Sequence, residues 1–140
     1  MIAARARATT NITVQKSEAE PYETESPELL EIHITERFSG DIDGESTVRA
    51  LQVQYDDKSA RMVSMQRFRG KLCGREGTFV LQGEETVENG KIKAGWSVVP
   101  GSATGDLSGL RGEGGFEGDF GKGSQGWLEY WFDVASGNVT

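Results

Sequence analysis

Four polar side chains stand inside otherwise apolar, alternating runs: Glu36, Arg49, Ser64 and Gln66. A carboxylate, a guanidinium and an amide converging on an apolar wall are costly to bury unless they pair or serve a ligand. Three arrangements would use them. A few polar groups could orient a small molecule in a greasy pocket. Arg49 or Gln66 could polarise a carbonyl while the cavity holds a flexible substrate in a reactive conformer. Alternatively, a buried Glu36–Arg49 bridge could fix register in a filled interior.

Other chemistry-bearing residues offer less. His33 has no second His or Cys nearby to complete a metal site, and no Ser-His-Asp arrangement is in sight. Cys73 sits in a tight turn beside Gly74 and reads as an incidental thiol. The glycine-rich run from Gly101 to Gly115 lacks the Gly-Lys-Ser/Thr ending of a phosphate cradle, so turn duty is expected. No cofactor and no metal is expected.

Strands must position these groups. Ala6, Ala8, Thr10, Ile12 and Val14 share one face of a first strand, and Leu30, Ile32, Ile34, Glu36 and Phe38 one face of a second. Polar turns at 39–44, 56–59, 70–74 and 88–90 separate further strands over 45–55, 61–69, 75–82 and 91–99. Two more fit around 112–117 and 126–134, and no window shows a helical stripe. About eight short strands predict an all-β, antiparallel, small closed barrel that holds packed side chains or one ligand.

Turn positions give an approximate register. Centring the second hairpin on Ile42-Asp43 places Glu36 beside Arg49 and Ile34 beside Leu51. Centring the next on Lys58 places Arg49 beside Gln66 and Leu51 beside Ser64, with Phe79 and Leu81 following. Ala94, Trp96 and Val98, then Leu128, Tyr130 and Phe132, continue this inward face. Its ligand-facing set is Glu36, Phe38, Arg49, Ser64, Gln66, Phe79, Leu81, Trp96 and Tyr130, with Glu36, Arg49 and Gln66 as candidate catalytic groups. His33, Gln52, Gln54, Arg67, Lys93 and Glu129 fall on the solvent face. A slip of one residue swaps the faces.

Composition narrows the partners. The 140 residues suit a single domain over 1–140, with an acidic, solvated connection at about 18–28. A net charge of −7 argues against nucleic acid and against an anionic membrane surface. Apolar runs fall far short of a bilayer span, no signal-peptide pattern opens the chain, and a lone cysteine suits a reducing cytoplasm. A small, mostly apolar molecule is the expected partner, and the outward pair Trp127 and Trp131 suggests a covered surface or a homo-oligomer contact.

Three segments add a resemblance: FSGDIDGE at Phe38–Glu45, RFRGKLCGREGTFVLQ at Arg67–Gln82 and WSVVPGSATGDLSGLRGEGGFEG at Trp96–Gly118. Their order and spacing resemble a bacterial family of uncharacterised small proteins with an allene-oxide-cyclase-like barrel. That resemblance implies the barrel, of a kind with lipocalins in holding one cavity, and admits a cofactor-independent cyclase or isomerase acting on a polyketide-like or lipid-like substrate. Members of the resembled family carry Glu at the position of Gln66 and His at that of Gly83. The resemblance therefore implies that a Glu/His acid–base pair is lost here, leaving Glu36 as the inward carboxylate and favouring binding.

Overall fold

The computed structural model describes residues 4–119 and 122–133. Eight antiparallel strands run up and down in chain order and close on themselves, β8 pairing back onto β1. They are β1 (Ala6–Glu23), β2 (Glu28–Gly40), β3 (Ile42–Asp56), β4 (Ser59–Leu72), β5 (Arg75–Glu88), β6 (Lys91–Val98), β7 (Leu110–Asp119) and β8 (Gly123–Phe132). The alternation read from sequence produces this directly: every second side chain of a pleated strand faces the interior, and closure leaves no edge around the lower ring. The Asn89-Gly90 turn joining β5 to β6 has positive φ at both residues, 53° and 76°, the twist that a two-residue hairpin requires.

β1 extends further than the acidic composition of Glu18 to Glu28 suggests. It pairs with β2 through Glu23, after an irregularity between Val14 and Lys16. Both faces of this extension stay exposed, so the segment is solvated although it is a strand. Pairing with β8 stops at Thr13, so the upper part of β1 is a free edge. Charged Lys16, Glu18, Glu20 and Glu23, with Pro21, occupy that edge and discourage another strand from adding to it.

The lower end of the barrel is closed and full. Phe38, Phe68, Phe79, Leu72, Leu107 and Leu128 are almost wholly buried there. Phe68 packs on both of its phenylalanine neighbours, with ring centroids 5.4 Å from Phe38 and 4.9 Å from Phe79. The β6–β7 loop crosses beneath them, with a single 3-10 turn at Gly105–Leu107 that drives Leu107 into the core. Thr104 and Ser102 tie the loop to β5: Thr104 N–H donates to Thr78 O (2.9 Å) and Val80 N–H to Ser102 Oγ (3.0 Å). Gly77 permits this crossing, because a Cβ there would lie 2.1 Å from Thr104 O. The glycine-rich run thus makes turns and a plug as far as Gly109, while Gly112, Gly114 and Gly115, expected in turns, lie within β7.

The inward face differs from the sequence expectation in one strand, β3, and the pairings differ by three residues in β2–β3, one in β3–β4 and two in β4–β5. The inward face of β3 carries Ile42, Ser46, Val48, Ala50 and Gln52, while Thr47, Arg49 and Leu51 point outward. Phe38 pairs with Gly44 and Glu36 with Ser46, because the β2–β3 turn centres on Asp41. β1 pins it there: Thr9 N–H donates to Asp41 Oδ2 (3.0 Å) and Asp41 N–H donates to Thr9 O (2.9 Å). The β3–β4 pairing, with Ala50 opposite Ser64, shifts by one residue in turn and returns β4 to the expected face.

Truncating the plug tests the closed end. Leu107→Ala is expected to lower unfolding free energy by about 2–4 kcal/mol in chemical denaturation, as for other large buried side chains. A change near zero would show that the loop does not seal the core.

Candidate functional site

A belt of polar side chains crosses the interior above the aromatic core and below a second apolar cluster. β2 supplies Glu36, β3 supplies Ser46, β4 supplies Ser64 and Gln66, and β5 supplies Glu85, while Gln52 sits higher, between Leu30 and Met62. Gln66 Nε2 donates to Glu36 Oε1 (3.1 Å) and to Ser46 Oγ (2.6 Å), joining three strands. Ser64 Oγ donates to Glu85 Oε2 (2.9 Å). The Gln52 amide donates to Gln54 Oε1. Above them Ile32, Ala50, Ala60, Met62 and Val87 form an apolar collar at the upper end, flanked by partly buried Leu30, Ile34 and Ile92. The floor is the Phe38–Trp96 stack, with centroids 6.2 Å apart.

Burial sets the electrostatics. Glu85 is 5% exposed, its Oε1 has no hydrogen-bond partner, and desolvation raises its pKa from 4.5 to about 7. The Ser64 hydrogen bond opposes that rise, and the Glu36 charge reinforces it. Desolvation likewise pushes Glu36 to about 7, against the Gln66 hydrogen bond. Among the described residues, no Lys, Arg or His faces the belt. Glu85 is buried and Glu36 half-buried in this interior without a cation, and near pH 7 each is poised between its acid and base forms.

The belt gathers some of the residues expected from sequence. Glu36, Ser64 and Gln66 meet in it, and Phe38, Leu81 and Trp96 pack around its base. Trp96 Nε1–H donates through the wall to Trp127 O (3.1 Å), so its indole proton is committed. Phe79 lies deeper, in the filled core. Tyr130 is at the closed end beside Phe132, and the adjacent Cys73 thiol helps push its phenol up to about 12.

Arg49 does not reach the interior. It is exposed on the outer face of β3, opposite His33 and Met65. No Glu36–Arg49 bridge exists, and the guanidinium handle expected from sequence is absent because the β2–β3 turn sits around Asp41. Gln52, expected on the solvent face, is buried for the same reason.

Glu85 is the residue that sequence reading missed. The fifth strand continues past Gln82 to Glu88, and the alternation Phe79, Leu81, Gly83, Glu85, Val87 carried the signal, interrupted by a glycine without a side chain. Gly83 makes the room: a Cβ there would lie 2.4 Å from Glu85 Oε2 and 2.9 Å from Ser64 Oγ. Both departures from the resembled family, Gln66 and Gly83, thus face this belt. Glu36 is not the sole inward carboxylate.

Outside, a broad groove of about 1200 Å³ is bordered mainly by outward side chains of β3 to β8, among them Leu51, Val63, Gln82, Glu84 and Lys93. It is open to solvent and lies across the wall from the belt. Trp131 and Trp127 are covered by Arg5 and Arg7, whose guanidinium carbons lie 4.3 and 5.8 Å from the ring centroids. Among the described residues no three His, Cys, Asp or Glu are grouped to hold a metal, and no helix is long and apolar enough to cross a membrane.

A family model described as a protein of unknown function (DUF3224) matches residues 6–133. A crystal structure of a protein with unknown function from the DUF3224 family of Shewanella oneidensis MR-1 superposes with a TM-score of 0.78 at 27% identity. The alignment covers 94% of this chain and 100% of that one. No curated protein sequence matches.

The carboxyl pKa values make stability depend on pH. Between about 4.5 and about 7 the folded state holds protons on Glu36 and Glu85 that the unfolded chain has released. Their contribution to stability therefore falls as pH rises through that window and is flat above it. Glu85→Gln, which removes one such group, is expected to stabilise the protein at pH 8 by about 1–3 kcal/mol relative to its effect at pH 5. Denaturant titrations at both pH values measure this, and a pH-independent effect of the substitution would contradict it. Arg49→Met, outside the barrel, is expected to leave that pH dependence unchanged.

Proposed function

The chain belongs to the DUF3224 family, and we propose that it is a small-molecule-binding barrel whose upper half receives a ligand with an apolar body and a polar head. One observation carries this reading: Glu85 is buried with an unpartnered carboxyl oxygen in a barrel whose lower half is completely packed. An interior built only for stability has no use for such a group, since an apolar residue of similar size would be the more stable choice. Accessibility supports the same division. Most of the aromatic core is wholly buried, whereas belt and collar residues such as Ser64 (9%), Val48 (7%) and Met62 (7%) keep a trace of exposure. The collar then receives the ligand body and the belt orients its head.

A second reading has an observation of its own. Two neighbouring carboxyls with pKa values near 7 can exchange a proton with a substrate at neutral pH. The pair is suited to a cofactor-independent isomerisation or cyclisation in which one carboxyl removes a proton and the other returns one. Glu85 revives this chemistry, which the replacement of Glu and His by Gln66 and Gly83 argued against.

Native mass spectrometry of the purified protein, with Trp fluorescence during titration by an amphipathic dye, tests the binding reading. A copurifying compound, or saturable quenching that is lost in a folded Met62→Trp variant with a blocked collar, is the expected result. An empty spectrum with a flat titration would return the belt to scaffold in a filled barrel.

A further inference from the structure

Hydrogen-bond accounting in the belt narrows the ligand class, resting on the binding reading above. Its donors are mostly committed. Both hydrogens of the Gln66 amide serve Glu36 and Ser46, and the Ser64 hydroxyl serves Glu85. Trp96 Nε1–H serves Trp127 O, and the Gln52 amide serves Gln54. What remain open are the Ser46 hydroxyl hydrogen and oxygens of the two acids. Glu85 Oε1 is buried without a partner, and Glu36 uses only Oε1, on Gln66. No inward cation balances them among the described residues. A ligand that completes this site must donate hydrogen bonds and carry positive charge.

We infer that the belt is a receptor for a protonated amine whose apolar body occupies the collar. The layering dictates the orientation. The packed aromatic core blocks passage below, so the ammonium group enters first and stops between Glu36 and Glu85. The hydrocarbon part trails upward along Ile32, Ala50, Met62 and Val87 toward the upper end. An ammonium offers three donors on one atom, enough to serve both carboxyls, with one remaining for the Gln66 carbonyl oxygen. A carboxylate or phosphate head is repelled once either acid ionises, whereas an ammonium is attracted. A neutral alcohol supplies one donor and no charge.

The titratable groups facing Glu85 from the strands around it reduce to Glu36, as β4 presents Met62 and Ser64 and β6 presents Ala94 and Trp96. Glu84 adds its charge from the outer face. Proton balance follows. A carboxyl that is protonated before binding and meets an ammonium head becomes a carboxylate, and its proton goes to solvent. Amine binding near pH 6.5 is therefore accompanied by proton release, and amine affinity rises with pH up to about neutrality.

The experiment compares octylamine, 1-octanol and octanoate by calorimetry at pH 6.5 in two buffers of different ionisation enthalpy, on the wild type and on folded Glu36→Gln/Glu85→Gln protein. Octylamine is expected to bind at least about tenfold more tightly than octanol and to release protons. The double variant, which keeps its surface carboxylates, is expected to lose both the preference and the proton release. Equal or tighter binding of octanol or octanoate would overturn the amine assignment while preserving the cavity. Retention of the amine preference by the double variant would move the site to the acidic surface and overturn the assignment too. Absence of saturable binding by all three would overturn the binding reading with it.

Discussion

Placing two carboxyl groups inside a closed sheet without a cation is the constraint to which the rest of the structure answers. Closure removes the sheet edges and shuts out bulk water, so any charge at an inward position loses its solvation. Glu36 and Glu85 meet that penalty in two ways. Each accepts a hydrogen bond, from Gln66 and Ser64, and each shifts its proton equilibrium toward the neutral acid. Glu85 Oε1 still has no hydrogen-bond partner, and a partnerless polar atom is what a binding site leaves available.

The remaining architecture isolates that belt. Below it, three phenylalanines, Trp96 and the Leu107 plug fill the barrel, so the belt has a rigid apolar floor. Above it, the collar is aliphatic and adaptable. Gly83 trades a side chain for the space that Glu85 occupies. Strands β2 to β5 carry the collar, and the charges and proline on the free edge of β1 keep that edge from becoming a strand-pairing site. The outer face of β3 and β4 exposes Leu51, Val63 and Met65, each about half accessible, close to Arg49, Arg61 and Glu84.

Most of the fold was legible because period-two alternation is a local signal. Strands such as β4, with Ala60, Met62, Ser64, Gln66 and Phe68 inward, state their face without help. β3 does not, since Val48 and Ala50 on one face compete with Leu51 and Val53 on the other. Its face is decided by Asp41, whose contacts to Thr9 come from a strand some thirty residues away in sequence, beyond what hairpin chemistry reveals. That three-residue difference in the β2–β3 pairing misplaced Arg49 and Gln52 and left Ser46 unread. Glu36 keeps its face because β2 precedes the shift, and Ser64 and Gln66 keep theirs because the β3–β4 pairing differs by one residue, which restores the alternation. Glu85 was hidden by Gly83, which interrupts the apolar alternation without ending the strand. The family match settles membership and brings no activity with it.

The most direct test of this account is the titration of the two carboxyls themselves. Carbon-13 NMR of side-chain carboxyl signals, assigned with Glu36→Gln and Glu85→Gln, reads each group across pH 4 to 9. The account predicts two resonances with midpoints near 7, each moving when the other acid is removed. Midpoints near 4.5 for both would mean that water or a cation reaches them freely, and the belt would then be an ordinary solvated surface.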